Sequence, residues 1–320
     1  MKTIGVLTSG GDAPGMNAAV RAVVRTALQY NMRVVGIRRG YQGLLNGDMF
    51  EMNLRSVSRI IDKGGTILYT ARCNEFMTTQ GKEKALKVCK DAGINGLVTI
   101  GGDGTFRGAR ELSLLGVPCI GIPGTIDNDI VCSDYSIGFD TAMNTVMNMV
   151  DRLRDTAESH NRCSVVEVMG RNSGNLALHA GIAVGATYIL VPEVPFDFKK
   201  DVIGSIQRSL KTNKEHFIIV VSEAFGNSAW LARTIEEQTG IQTRATVLGH
   251  VQRGGSPTVR DRVMASRLGN YAVHLLKNNI GNRVVCVKDD KIVDYDIIEG
   301  LNMQRNFDID LYNSALEISI

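Results

Sequence analysis

Residues 96–105 read GLVTIGGDGT: a short apolar run, Gly96–Ile100, breaks into three glycines set around a single carboxylate, Asp103. An apolar run this brief, without polar alternation and bounded by glycine, suits a strand buried on both faces. The pattern recurs along the chain. Further strand candidates are Ile4–Thr8, Arg33–Ile37, Cys119–Ile122, Val165–Met169, Tyr188–Val191, Phe217–Val221 and Ala245–Leu248. Between them lie segments with helical patterning, among them Met16–Leu28, Lys82–Ala92, Thr141–Ala157 and Arg260–Lys277. Strands that alternate with helices predict an α/β fold with parallel sheets covered on both faces. Such sheets bind ligands beyond the carboxyl ends of their strands, so the residues after each strand are where chemistry is sought.

Three junctions stand out. Ser9-Gly10-Gly11-Asp12-Ala13-Pro14-Gly15 follows the first strand. It matches neither G-x-G-x-x-G nor the Walker pattern, and its glycines suit a tight βα turn and a phosphate loop equally. In Gly101-Gly102-Asp103-Gly104-Thr105, a capping aspartate would need one glycine at most. Three glycines favour close approach of phosphate to the backbone, with Asp103 as a hard oxygen ligand for magnesium. Pro123-Gly124-Thr125-Ile126-Asp127-Asn128-Asp129 follows Cys119–Ile122. In an extended loop Asp127 and Asp129 would project to one side. One could take the proton of an attacking hydroxyl and the other position metal or substrate; a solvated Asp-Asn-Asp turn is the plainer alternative.

The second half carries arginines near strand ends: Arg162, Arg171, Arg244 and Arg253, the last in Gly249-His250-Val251-Gln252-Arg253-Gly254-Gly255. Guanidinium forks suit a phosphate gripped in fixed orientation. Arg21 and Arg25, four apart on a predicted helix, share a face; either solvent or an anion would relieve their repulsion. The net charge of +3 is too small to imply a nucleic-acid or membrane partner. Six cysteines without a C-x-x-C pair, several in apolar runs, read as reduced thiols, not as a disulfide framework or zinc site. No apolar signal core opens the sequence and no run reaches membrane-spanning length, so a cytoplasmic location is expected.

SGGDAPGMNA, IGGDGT and PGTIDND, in that order and spacing, resemble the signature blocks of the phosphofructokinase family, and the similarity runs on through MGRNSG, SEAFG and GHVQRGG. The resemblance implies two Rossmann-like three-layer domains with mainly parallel sheets and the active site in the cleft between them. Residues 1–138 plus 256–304 would bind ATP, and residues 139–255 plus 305–320 the sugar phosphate. It further implies transfer of the γ-phosphoryl group of MgATP to the 1-hydroxyl of fructose 6-phosphate. Gly11, Arg72, Cys73, Gly102, Asp103, Gly104 and Thr105 would contact ATP, and Asp103 would hold Mg²⁺. Thr125, Ile126 and Asp127 would face the sugar with Asp127 as base, and Asp129 and Arg72 would assist. Met169, Gly170, Arg171, Glu223, His250, Val251, Gln252 and Arg253 would line the sugar site, with Arg171 offsetting charge on the transferred group. Arg162 and Arg244 would grip the 6-phosphate from a neighbouring subunit of a homotetramer.

The resemblance also places a regulatory site for ADP or phosphoenolpyruvate at Arg21, Arg25, Arg154, Gly185 and Lys214. Here the chain departs from the pattern: Thr187 stands where relatives carry a magnesium-holding glutamate, the basic residue expected near position 54 appears only as Arg55, Thr212 stands where a lysine is expected with Lys211 beside it, and one extra residue falls around Asp197–Lys200. Weakened or altered ADP activation is expected. Pyrophosphate-using relatives carry Asp where this chain has Gly104 and Lys where it has Gly124, so ATP is the expected donor. The alternatives are a pyrophosphate-dependent phosphofructokinase and a GGDGT-type kinase of the NAD or diacylglycerol class; the latter lacks the PGTIDND loop.

Overall fold

A computed structural model describes residues 2–319, which divide into two units. Unit 1 holds the chain up to Thr141 and again Arg253–Arg305; unit 2 holds Ala142–Gln252 and the chain from Asn306. The return to unit 1 falls between Gln252 and Arg253, earlier than the sequence boundary after Gly255, so Arg253 belongs with unit 1.

Unit 1 is built on strands β1 (Thr3–Thr8), β2 (Arg33–Ile37), β3 (Met49–Met52), β4 (Gly96–Gly101) and β5 (Cys119–Pro123). Unit 2 contributes β6 (Cys163–Val168), β7 (Tyr188–Leu190), β8 (Phe217–Ser222) and β9 (Thr243–Val247), and the chain returns to unit 1 with β10 (Arg283–Lys288) and β11 (Lys291–Asp296). The sheet of unit 1 has the order β11-β10-β5-β4-β1-β2-β3. Its central pairs are parallel, whereas β2–β3 and β10–β11 are antiparallel edges. Asp289 and Asp290, at φ 48° and 58°, make the left-handed two-residue turn that a hairpin requires. β1 and β4 are buried at every position, as a strand covered on both faces must be.

One face of this sheet is covered by a cluster that includes Tyr41, Phe76, Leu97, Phe106 and Leu112. Elsewhere in the unit the helix Met16–Gln29 packs against Val259–Lys277, closely enough that a Cβ at Gly269 would lie 2.8 Å from the Ala19 carbonyl oxygen. Unit 2 has a four-stranded parallel sheet, β7-β8-β6-β9, with a hydrophobic cluster on each side. Phe198–Ile203, in the segment expected to carry an extra residue, winds as a π-helix, which takes more residues per turn than an α-helix, and Asp197 caps it by accepting from the Lys200 N–H at 2.8 Å.

Candidate active site

β1, β4 and β5 are neighbours, and the chain runs outward in opposite directions from β1 and β4, so this is where a parallel sheet opens a crevice at its carboxyl end. The three glycine-bearing junctions meet there. The Ser9 N–H donates to the Ile100 carbonyl at 3.0 Å, and the Gly124 N–H to the Gly101 carbonyl at 2.9 Å. Thr105 Oγ1 donates to the Ser9 carbonyl at 3.0 Å. A Cβ at Gly101 would lie 2.3 Å from that same oxygen, so glycine is required where the first two junctions touch. A Cβ at Gly102 would lie 3.7 Å from Thr125 Cβ, which brings the third junction alongside.

The helix Asp103–Leu114 opens in this crevice with no side-chain cap, so its first N–H donors and the positive end of its dipole face outward. Asp103 is in the first turn, its side chain 42% exposed and Oδ2 2.7 Å from Arg107 Nε. The neighbouring carboxylate raises the Arg107 guanidinium above its ordinary value. Gly104 is exposed, and a Cβ there would meet nothing within 4 Å. An exposed hard-oxygen ligand beside an uncapped helix N-terminus and open glycine backbone fits magnesium carried on a phosphate chain.

A strap that sequence reading missed closes one side. Asn17 accepts from the Ile67 N–H at 2.8 Å and donates to the Lys63 and Gly64 carbonyls. Thr8 Oγ1 lies 2.9 Å from both Thr66 Oγ1 and the Tyr69 carbonyl, and Thr70 Oγ1 donates to the Gly10 carbonyl at 2.6 Å. The strap leads into Arg72, which is exposed, and Cys73, which is half-buried against the core. Arg253, read as a sugar-site residue, donates from Nη1 to the Asp12 carbonyl at 3.2 Å, and a Cβ at Gly11 would lie 2.2 Å from that nitrogen. In unit 1 it therefore braces the Ser9–Gly15 loop.

The Thr125–Asp129 segment is a turn, not the extended loop expected, because Asn128 sits at φ 47°. Asp127 is buried, its N–H donating to Thr125 Oγ1 at 3.2 Å, whereas Asp129 is half-buried. The left-handed residue between them breaks the alternation that would have aimed both carboxylates one way. Thr125 and Ile126 are buried on the same turn.

In unit 2 the carboxyl end of β6 is held by two side chains. Gln252, fully buried, accepts from the Met169 N–H at 3.2 Å and donates to the Gly249 carbonyl at 2.9 Å. Glu223 Oε1 accepts from the Gly170 and Arg171 N–H groups at 3.1 and 2.7 Å, fixing both residues at positive φ. That oxygen, expected to meet sugar hydroxyls, thus shapes the turn that presents Arg171, which is exposed. His250 and Val251 are exposed in the adjoining 3₁₀ turn. Arg162 and Arg244 do not join them. Arg162 precedes β6, and Arg244 pairs with Ser164 near the start of that strand, so both lie toward the amino end of the sheet. Arg162 donates to Gln242 Oε1 at 2.6 Å and Arg244 lies 3.7 Å from Glu236.

Of the residues read as a regulatory site, Arg21 and Arg25 lie in unit 1, where burial first and the Arg25 charge second push Arg21 down. Arg154, Gly185 and Lys214 lie in unit 2. Burial, then the charge of Arg154, pushes Lys214 down, and Arg154 donates to the Val184 carbonyl. Thr187 is buried.

Strand ends that gather backbone donors, a magnesium-type carboxylate and a second, buried carboxylate define an α/β protein built to handle phosphoryl groups. Residues 3–276 match the family model described as Phosphofructokinase. The chain is 57% identical over 319 residues to ATP-dependent 6-phosphofructokinase of Clostridium tetani and 56% identical to that of Clostridium botulinum, covering all of each chain. Among solved structures it is similar to phosphofructokinase from Saccharomyces cerevisiae, with TM-score 0.89 and 33% identity, covering all of this chain and 48% of that one. The chain belongs to the phosphofructokinase family.

Proposed function

We propose that this chain is an ATP-dependent 6-phosphofructokinase, which moves the γ-phosphoryl group of ATP to the 1-hydroxyl of fructose 6-phosphate. The observation that carries the reading is the meeting of Gly101–Thr105 with Ser9–Gly15 and Thr125–Asp129 at adjoining strand ends of one sheet. The sugar oxygen attacks the γ-phosphorus, the bond to the bridging oxygen breaks, and ADP leaves. Asp127 accepts the proton of the attacking hydroxyl. Gly11, Gly102 and Gly104 present backbone donors to the phosphate chain, Thr105 lines it, and Arg72 and Cys73 lie beside the nucleotide. Asp103 would hold the magnesium ion, which would supply neutralisation of phosphate charge. Thr125 and Asp129 help to hold the acceptor, and Arg171 offsets charge that grows on the transferred group. Met169, Gly170, Glu223, His250, Val251 and Gln252 shape the sugar site, and the arginines at the other end of the unit 2 sheet, Arg162 and Arg244, serve a neighbouring subunit of a homotetramer.

Gly104 and Gly124 favour ATP over pyrophosphate. The first is open, and the second is buried with Ile100 and Met16 each 3.2 Å from where a Cβ would stand, leaving little room for a lysine. ADP or phosphoenolpyruvate acting at the Arg21, Arg25, Arg154 and Lys214 positions, and a cytoplasmic location, complete the proposal. A coupled assay on fructose 6-phosphate, run in parallel with ATP and pyrophosphate, tests it. Turnover with ATP alone is expected; turnover with pyrophosphate alone, or with neither, refutes it.

A further inference from the structure

We infer that Arg305 is a positioning residue for the reaction, fixing the Asp127–Asp129 turn through the backbone between the two carboxylates; this rests on the reading of Asp127 as the base. Arg305 is half-buried at the end of unit 1 and 177 residues from the turn. Its Nη1 donates to the Asn128 carbonyl at 3.0 Å and to the Ser133 carbonyl at 2.9 Å.

These two acceptors are not alike. Ser133 lies on a stretch already fastened to β10: the Val287 N–H donates to Ser133 Oγ at 3.0 Å, and the Asp134 N–H to the Val287 carbonyl at 2.8 Å. Asn128 is buried in the left-handed region, which asparagine adopts more readily than other non-glycine residues. Asn128 Nδ2 also reaches back to the Asp134 carbonyl at 3.2 Å. Arg305 thus ties the Asn128 carbonyl to the stretch fastened on β10. The orientation of the Asn128 carbonyl sets the peptide plane from which Asp129 departs, and it holds the turn whose first corner is Asp127.

The charge of Arg305 also acts on Asp134. The nearby carboxylate, Asp134, already has Lys288 Nζ at 2.7 Å and the Asp289 N–H at 3.1 Å. Arg305 supplies charge-assisted donation to the Asn128 and Ser133 carbonyls.

The experiment is a kinetic cycle on the full-length enzyme with Arg305→Met, Asp127→Asn and the double variant, followed in single turnover with ATP and fructose 6-phosphate. Arg305→Met is expected to lower kcat about 10- to 100-fold, the cost of a loosened base, with KM for ATP within about twofold. In the Asp127→Asn background the same change is expected to cost less than about threefold, because the group it positions is gone. Arg305→Lys, which keeps a donor and the charge on a shorter stem, is expected to recover part of the loss and serves the same cycle if the methionine variant folds poorly. Equal losses in both backgrounds, no loss at all, or a rise confined to KM for ATP overturns the inference. Near-normal turnover in Asp127→Asn alone instead overturns the reading of the base.

Discussion

Replacing Gly104 with aspartate separates the stability of the ATP junction from its function. The position is exposed, the second residue of the helix Asp103–Leu114, and a Cβ there meets nothing within 4 Å. Its φ is not in the left-handed region, so a side chain brings no backbone strain. Gly→X in a helix removes a propensity penalty of several tenths of a kcal/mol, and a carboxylate in the first turn adds about 0.3–1 kcal/mol through the helix dipole. Repulsion from Asp103 next door offsets part of this, leaving the variant about as stable as the parent or slightly more so. Against a bound phosphate chain the sign reverses. Two like charges about 4 Å apart cost about 1 kcal/mol in water and about 4 kcal/mol at the effective dielectric near a protein surface. The exposure of this helix end favours the lower half of that range, which is roughly a 5- to 70-fold rise in KM for ATP. Thermal unfolding and initial-rate kinetics at saturating fructose 6-phosphate read the two effects. A repeat at high salt should shrink the KM effect, since screening reaches within about 10 Å at 0.1 M. An unchanged KM for ATP in a folded variant would show that Gly104 does not face the nucleotide. A lower melting temperature would show that the space around it is not open.

Three shorter predictions follow from single contacts. Gly11→Ala places a methyl 2.2 Å from Arg253 Nη1, so Arg253 must leave the Asp12 carbonyl. We expect a loss of about 1 kcal/mol in stability and a several-fold lower kcat/KM, and wild-type kinetics would argue against Arg253 as the brace. Asp261 is fully buried and accepts from Tyr135 Oη, the Gly138 N–H, and the N–H and Oγ1 of Thr141. Asp261→Ala strands those donors and should cost about 3 kcal/mol or more, measured by denaturant unfolding; a loss under 1 kcal/mol contradicts this. Glu111 is held below the ordinary glutamate range by hydrogen bonds from Lys82 and then Arg110. Its folded pKa is depressed, so its contribution is present above the unfolded value of about 4.3 and is lost as pH falls through the lowered folded value. Glu111→Gln should flatten the acid limb of a stability-against-pH curve there, and an unaltered limb would count against the pairing.

The interior strands were legible because burial on both faces leaves a continuous apolar run, and β1, β2, β4 and β5 lie within a residue of where the sequence puts them. β3 and β11 were not read. They are edge strands, half exposed, and their residues (MFEM and KIVDYD) mix charge with apolar side chains. The helix Thr79–Asp91 begins before its apolar pattern does, since Thr78 caps it by accepting from the Gly81 N–H at 3.0 Å, and that first turn is polar. β10 was readable and overlooked: Arg283–Lys288 is an apolar run followed by Asp-Asp, a hairpin signal.

The site divides along the same physical line. Phosphate is met by backbone donors where a strand ends and a helix starts, so glycines and a carboxylate within a few residues mark a candidate, as at Gly101–Thr105. The placement of Arg162 at the amino end of β6 and of Arg171 beyond its carboxyl end was also implicit, since one precedes the strand and the other follows it. What holds these groups still is different in kind. Arg253 reaches Asp12 across 241 residues, Arg305 reaches Asn128 across 177, and Asp261 reaches Gly138 across 123. No local pattern selects those pairs, because each depends on where the completed sheet and helices bring the chain back. Asn128 shows the consequence. Its left-handed backbone turns two aspartates that alternate in sequence into one buried and one half-buried group. The residue types suited to phosphoryl transfer are thus written locally, while the contacts that shape the Asp127–Asp129 turn come from the far end of the chain.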